Sequence, residues 1–96
     1  MPFYTPSDDV QFNIDYDKFK PIDVMFHTDK DGTIKPMCFQ HIDDNEFKTT
    51  IKIDSIVQTK EIRGGFLYNC YVTNYNRKQS IALIYYVMEH IWVTPK

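Results

Sequence analysis

The chain is poor in the residues that build helices. Of its 96 residues only one is alanine, Ala82, and only two are leucine, Leu67 and Leu83. These are leading helix formers, so their scarcity argues against a helical bundle. Cysteine is scarce as well. Cys38 and Cys70 are too few for a disulfide framework, and free, buried thiols in a reducing cytoplasm are the expectation. The longest apolar run, Ile81 to Met88, falls far short of the roughly 18 residues a spanning helix needs, so no membrane is expected as a partner. No basic segment precedes an apolar stretch at the start, so no signal peptide is expected. Internal repeats, low-complexity tracts and linkers are lacking too.

What is present suits a sheet. Ile, Val, Phe and Tyr must supply the core, and such side chains fit a pleated, half-buried surface. A domain of this size buries roughly 60–65% of its surface, so that core has to be efficient. The net charge of −2 is mild, but it is unevenly spread. Residues 1–45 hold four lysines against nine aspartates, and residues 46–96 carry a balance of +3.

Periodicity marks out the elements. Val10 to Asp17 alternates apolar and polar residues, the sign of a half-buried strand, with a helix capped by Ser7 as the rival. Residues 1–20 otherwise read as an acidic lead-in before a domain over 21–96. Ile22 to Thr28 and Thr33 to His41 are two strands joined by Asp29-Lys30-Asp31-Gly32, which suits a type I turn with a glycine bulge. That turn sets Phe26 opposite Pro36 and Val24 opposite Cys38. A two-residue turn would instead bring Met37 and Phe39 inward.

Phe47 to Thr59 is a long strand with Phe47, Thr49, Ile51, Ile53 and Val57 on one face. Ile56 breaks that pattern, and a bulge near Asp54-Ser55 would restore it. Arg63-Gly64-Gly65 is a turn. Phe66 to Tyr75 follows, with Phe66, Tyr68, Cys70 and Val72 on one side. Asn74 to Gln79 is a polar turn. Ser80 to Met88 is rich in β formers, with a short helix as the rival. Ile91-Trp92-Val93 ends the series, and Trp92 is expected to close the core. The fold class is all-β: a small antiparallel barrel, SH3-like, of six to seven strands.

Several of these features resemble one group of proteins. They are Pro21-Ile22-Asp23-Val24, Asp31-Gly32-Thr33-Ile34-Lys35-Pro36 with Phe39, Ile51-Lys52-Ile53-Asp54, the Phe66 to Cys70 strand and Trp92. Across residues 21–94 the chain is similar to short, uncharacterised β-barrel proteins of low-GC Gram-positive bacteria. The resemblance implies a small barrel or SH3-like fold and carries over no catalytic residue.

Chemistry-bearing patterns are sparse. Asp29-x-Asp31-Gly32 matches the middle of a calcium loop, but His27 and Cys38 stand where its terminal carboxylates belong. Cys38-x-x-His41 is one half of a zinc spacing without the other half, and along a strand its two members point to opposite faces. Neither cysteine follows a Cys-Gly turn or a helix N-terminus that would activate it. No cofactor and no metal are expected.

Binding is the stronger reading. Tyr68, Tyr71, Tyr75, Tyr85 and Tyr86 cluster in the basic half, beside Lys60, Arg63, Arg77 and Lys78. Arg63, Tyr71, Tyr75, Arg77 and Lys78 are the candidate contact residues. An outward Tyr71 and Tyr75 would form a stripe suited to a protein partner or to self-association in a dimer. The alternative is a barrel that stacks single-stranded nucleic acid on tyrosines beside cationic turns. Arg63-Gly64-Gly65-Phe66-Leu67-Tyr68 falls short of an RNP1 motif, because Gly65 intrudes.

Overall fold

The period-2 runs become strands. In the computed structural model, which describes residues 14–96, there are seven: β1 (Phe19–Pro21), β2 (Val24–Thr28), β3 (Ile34–Ile42), β4 (Lys48–Ile62), β5 (Gly65–Asn74), β6 (Arg77–Tyr86) and β7 (Ile91–Pro95). All pair antiparallel, in the order β1-β7-β6-β5-β4-β3-β2. The described residues contain no helix, and the sheet curls into a half-barrel. Most of the Ser80–Met88 segment is strand β6, which gives way to a turn over residues 87–90. Of the Val10–Asp17 run, the described part is not strand. Asp15 begins a turn there, its carbonyl accepting from the Lys18 and Phe19 amides. Val10 to Asn13 lie outside the described residues.

Strands β2 to β7 form a meander, and β1 lies against β7 at the far edge. Residues 22 and 23 therefore join the two edges of one sheet. The Ile22 amide donates to the Trp92 carbonyl at 3.0 Å, and the Asp23 carbonyl accepts from the Gln40 amide at 2.9 Å. One dipeptide is thus tied to β7 on one side and to β3 on the other. β4 supplies the second bend. Its first part pairs with β3 and its remainder with β5, with register shifts between Ile53 and Ser55 and between Ile56 and Gln58. These bulges turn Ile56 against the core and leave Val57 exposed, where plain alternation would put Val57 inside.

The Asp29 turn forms as its residues dictate. The Gly32 amide donates to the Asp29 carbonyl at 2.9 Å, Asp29 Oδ1 accepts from the Asp31 and Thr33 amides, and Gly32 sits at φ 84°. Phe26 pairs with Pro36, as this turn requires. A register shift between Met25 and Phe26 then leaves Met37 as the extra residue of β3. Val24 consequently pairs with Phe39 rather than Cys38, and Phe39 instead of Cys38 joins the core. The bulge gives the benefit of both registers.

The core lies on the concave side. Phe39, Ile51, Ile53, Tyr68, Cys70, Val72, Leu83, Tyr85 and Trp92 form it, with Ile22, Val24, Ile34, Ile56, Phe66 and Ile81 packed at its margin. Trp92 is its aromatic centre. Its ring lies 4.8 Å from Tyr85, 5.5 Å from Tyr68 and 5.7 Å from Phe26, centroid to centroid. Phe26 is on edge strand β2 and Trp92 on β7, so ring contact draws the open sides of the half-barrel together. Gly65 is required where β5 meets β6, because a Cβ there would overlap the Tyr85 carbonyl. No helix among the described residues is long and apolar enough to cross a membrane.

Candidate interaction surface

The β5–β6 hairpin assembles four of the five candidate residues. Its strands pair from Gly65–Tyr86 to Asn74–Arg77, leaving Tyr75 and Asn76 as a two-residue turn. Both take positive φ, 55° and 62°. Positive φ at both central residues is the mark of a type I′ turn, which matches the twist of the flanking strands. Asn tolerates that conformation and Tyr does not favour it. The turn is shorter than the polar run from Asn74 to Gln79 suggests. Arg77, Lys78 and Gln79 belong to β6.

Alternation fixes the faces below the tip. Tyr68, Cys70 and Val72 are buried, so Tyr71 and Thr73 project from the convex side. Lys78 faces Thr73 across the ladder and lies on the same side as Tyr71. Its Nζ sits 4.5 Å from the Tyr71 ring centre, a cation–π contact. Thr73 Oγ1 donates to Asp54 Oδ2 at 2.6 Å, fastening the tip end of the hairpin to the β4 bulge. Tyr75 is 90% exposed at the tip.

Arg63 does not join this group. It lies in the β4–β5 turn, at the opposite end of β5. Ten strand residues separate it from the tip, roughly 30 Å. The cationic residues are divided between two ends of the sheet.

Among the described residues the other candidate chemistries are not assembled. Asp29 Oδ1 is occupied by two backbone amides of its own turn. Among the described residues no group of three or more His, Cys, Asp or Glu side chains could hold a metal ion. Cys70 is fully buried, and desolvation pushes its thiol up to about 11, the reverse of an activated nucleophile. His90 lies beside the Tyr85 hydroxyl, Nδ1 to oxygen 3.3 Å. A cleft of about 400 Å³ opens beside the 22–23 crossing, with Phe39 and Ile81 at its floor and Lys20, Asp23, Gln40 and His41 around it. Its rim mixes both charge signs.

No family model matches the chain, and neither the curated proteins nor the solved structures contain a match to it.

Proposed function

We propose that this chain is a small, SH3-like, non-catalytic interaction module of the cytoplasm that offers its β5–β6 hairpin to a protein partner. One observation carries the reading: Tyr75, 90% exposed, occupies the hairpin tip at φ 55°. Holding a bulky residue there costs of order 1–3 kcal/mol, and glycine would avoid that cost. An aromatic ring kept at a strained, exposed tip fits a contact made outside the chain. Tyr is enriched at interfaces because its ring supplies a large contact area with a polar end. Arg77 and the Lys78–Tyr71 pair beside it suit a partner that offers a ring-sized pocket with an acidic rim.

The test separates stability from binding. Tyr75→Gly relaxes the turn and removes the ring, so the melting temperature should hold or rise while partner capture from nuclease-treated lysate is lost. Capture at wild-type level by Tyr75→Gly would sink the reading.

Single-stranded nucleic acid is the second reading, favoured by Arg77 and Lys78 flanking an outward tyrosine. Two observations weaken it. Lys78 already covers one face of the Tyr71 ring, and Arg63 lies at the far end of β5. A fluorescence-anisotropy titration with a labelled single strand at low salt checks it, and binding of this kind would weaken steeply with added salt.

A further inference from the structure

The two edges of the sheet are unlike. β1 forms one edge and is three residues long, Phe19-Lys20-Pro21. Shortness, lysine and proline are the devices by which proteins keep an edge from pairing. β2 forms the other edge and is five residues long, Val24-Met25-Phe26-His27-Thr28, with no lysine, arginine, carboxylate or proline. The bulge beside it inserts Met37 into β3, so β2 itself runs regularly. No other described strand pairs with its second side.

Backbone parity shows what that side presents. Asp23 accepts from the Gln40 amide of β3, and Asp29 donates to the Thr33 carbonyl at the other end of the hairpin. Residues 23 and 29 thus direct their polar groups toward β3. In an antiparallel ladder alternate residues point the same way. Val24, Phe26 and Thr28 therefore aim their N–H and C=O groups outward, at the unpaired side.

We infer that β2 is a dimerisation edge, and that its partner is β2 of a second copy of this chain, aligned antiparallel about a two-fold axis through Phe26. In that register Val24 faces Thr28 of the other copy and Phe26 faces its counterpart. All three positions have outward backbone groups, so every facing pair exchanges two hydrogen bonds. A shift by one residue would set outward groups against inward ones. The side chains agree with the same register. Phe26 is 41% exposed although its ring rests on Tyr85 and Trp92, and the second Phe26 falls beside that exposed part. Met25, 65% exposed on the other face, meets His27. No like charges oppose each other, and a two-fold contact closes on itself as a dimer. This edge is separate from the Tyr75 hairpin, and the inference stands whether or not that reading holds.

Sedimentation velocity of the full chain in reducing buffer, over a concentration series, tests it. Reduction removes any contribution from a Cys38 disulfide. The wild type should show a reversible monomer–dimer equilibrium, and Tyr75→Ala should leave it unchanged. Thr28→Pro deletes an outward N–H while leaving the β3 ladder whole, a position where edge strands accept proline. Met25→Lys installs the missing edge charge. Both variants should sediment as monomers with an unaltered circular dichroism spectrum. If Thr28→Pro fails to fold, Met25→Lys carries the test alone, since its side chain lies outside the core. A wild type that stays monomeric at its highest soluble concentration would overturn the inference. So would dimers that survive in the folded β2 variants, or dimers lost with Tyr75→Ala.

Discussion

The Tyr68 hydroxyl donates to the Ile34 carbonyl at 2.7 Å, joining β5 to β3 across the inside of the half-barrel. β4 lies between these strands in the sheet, so no ladder connects them. The bond holds the curl directly, from the floor of the sheet to the start of β3. Tyr68→Phe should cost about 1 kcal/mol, the usual net worth of such a bond. Urea denaturation of both proteins measures it, with the slope unchanged because the core volume is nearly kept.

Trp92 makes a contrasting prediction. Trp92→Ala should cost about 3–5 kcal/mol, since the ring touches Tyr68, Tyr85 and Phe26. A loss that large can unfold a domain of this size. Trp92→Phe should be far milder. The indole Nε1 is buried with no hydrogen-bond partner among the described residues, so deleting it removes a desolvation burden along with some contact area. Thermal melts of the two variants should differ widely.

The turns at Asp29 and Asp43 have the same construction. Asp43 Oδ1 accepts from the Asn45 and Phe47 amides, its carbonyl accepts from the Glu46 amide, and its amide donates to the Phe47 carbonyl. Glu46 at φ 64° stands where the first turn has Gly32 at φ 84°. Glu46→Gly should therefore stabilise the protein, and Gly32→Ala should destabilise it, each by about 1 kcal/mol. A Cβ on Gly32 meets nothing within 4 Å, so that effect comes from the backbone alone. Melting temperatures moving in opposite directions would verify the pair.

Cys70 predicts alkaline sensitivity. Burial raises its thiol from 9.0 to about 11, and burial first, then Tyr85 and Cys70, raises Tyr68 as well. The folded chain holds these protons more tightly than the unfolded chain does. Stability is therefore fully present below pH 9 and declines as pH rises toward 11. The thiol's part is about 2–3 kcal/mol. Cys70→Ala should flatten that decline while lowering stability at neutral pH. Titrating thiols at pH 8 should label Cys38, which is partly exposed, long before Cys70.

Strand identity was legible in the sequence because period-2 alternation reflects the two faces of a sheet. Tyr68, Cys70 and Val72 lie inward as their spacing requires, and Asp29-Lys30-Asp31-Gly32 folds as its turn chemistry dictates. Bulges were only half legible. Ile56 advertised the one in β4 by breaking a pattern, whereas the Met37 bulge leaves alternation intact on paper and shows only in pairing. Asp43-Asp44-Asn45-Glu46 hid its kinship with the Asp29 turn because glutamate replaces the expected glycine. At the candidate surface, Tyr71, Tyr75, Arg77 and Lys78 came together because they are close in sequence across one tight turn. Arg63 did not, because it precedes β5 while Tyr75 follows it, and the length of the strand separates them. The edge position of β2 among the described strands depends on strand order, which no local pattern encodes.

The crossing at Ile22 and Asp23 also divides folding into two unlike events. Each pairing from β2 through β7 joins consecutive strands, and such hairpins form on a microsecond scale. The pairing of Phe19 with Pro95 instead brings together positions separated by most of the chain. Loop-closure entropy opposes that step until neighbouring contacts repay it. The meander is thus the early, locally guided part of the route, and the docking of β1 on β7 is its late, cooperative lock. Changes at Lys20 or Thr94 should then act mainly on how fast the protein opens, and changes in the β5–β6 hairpin on how fast it forms.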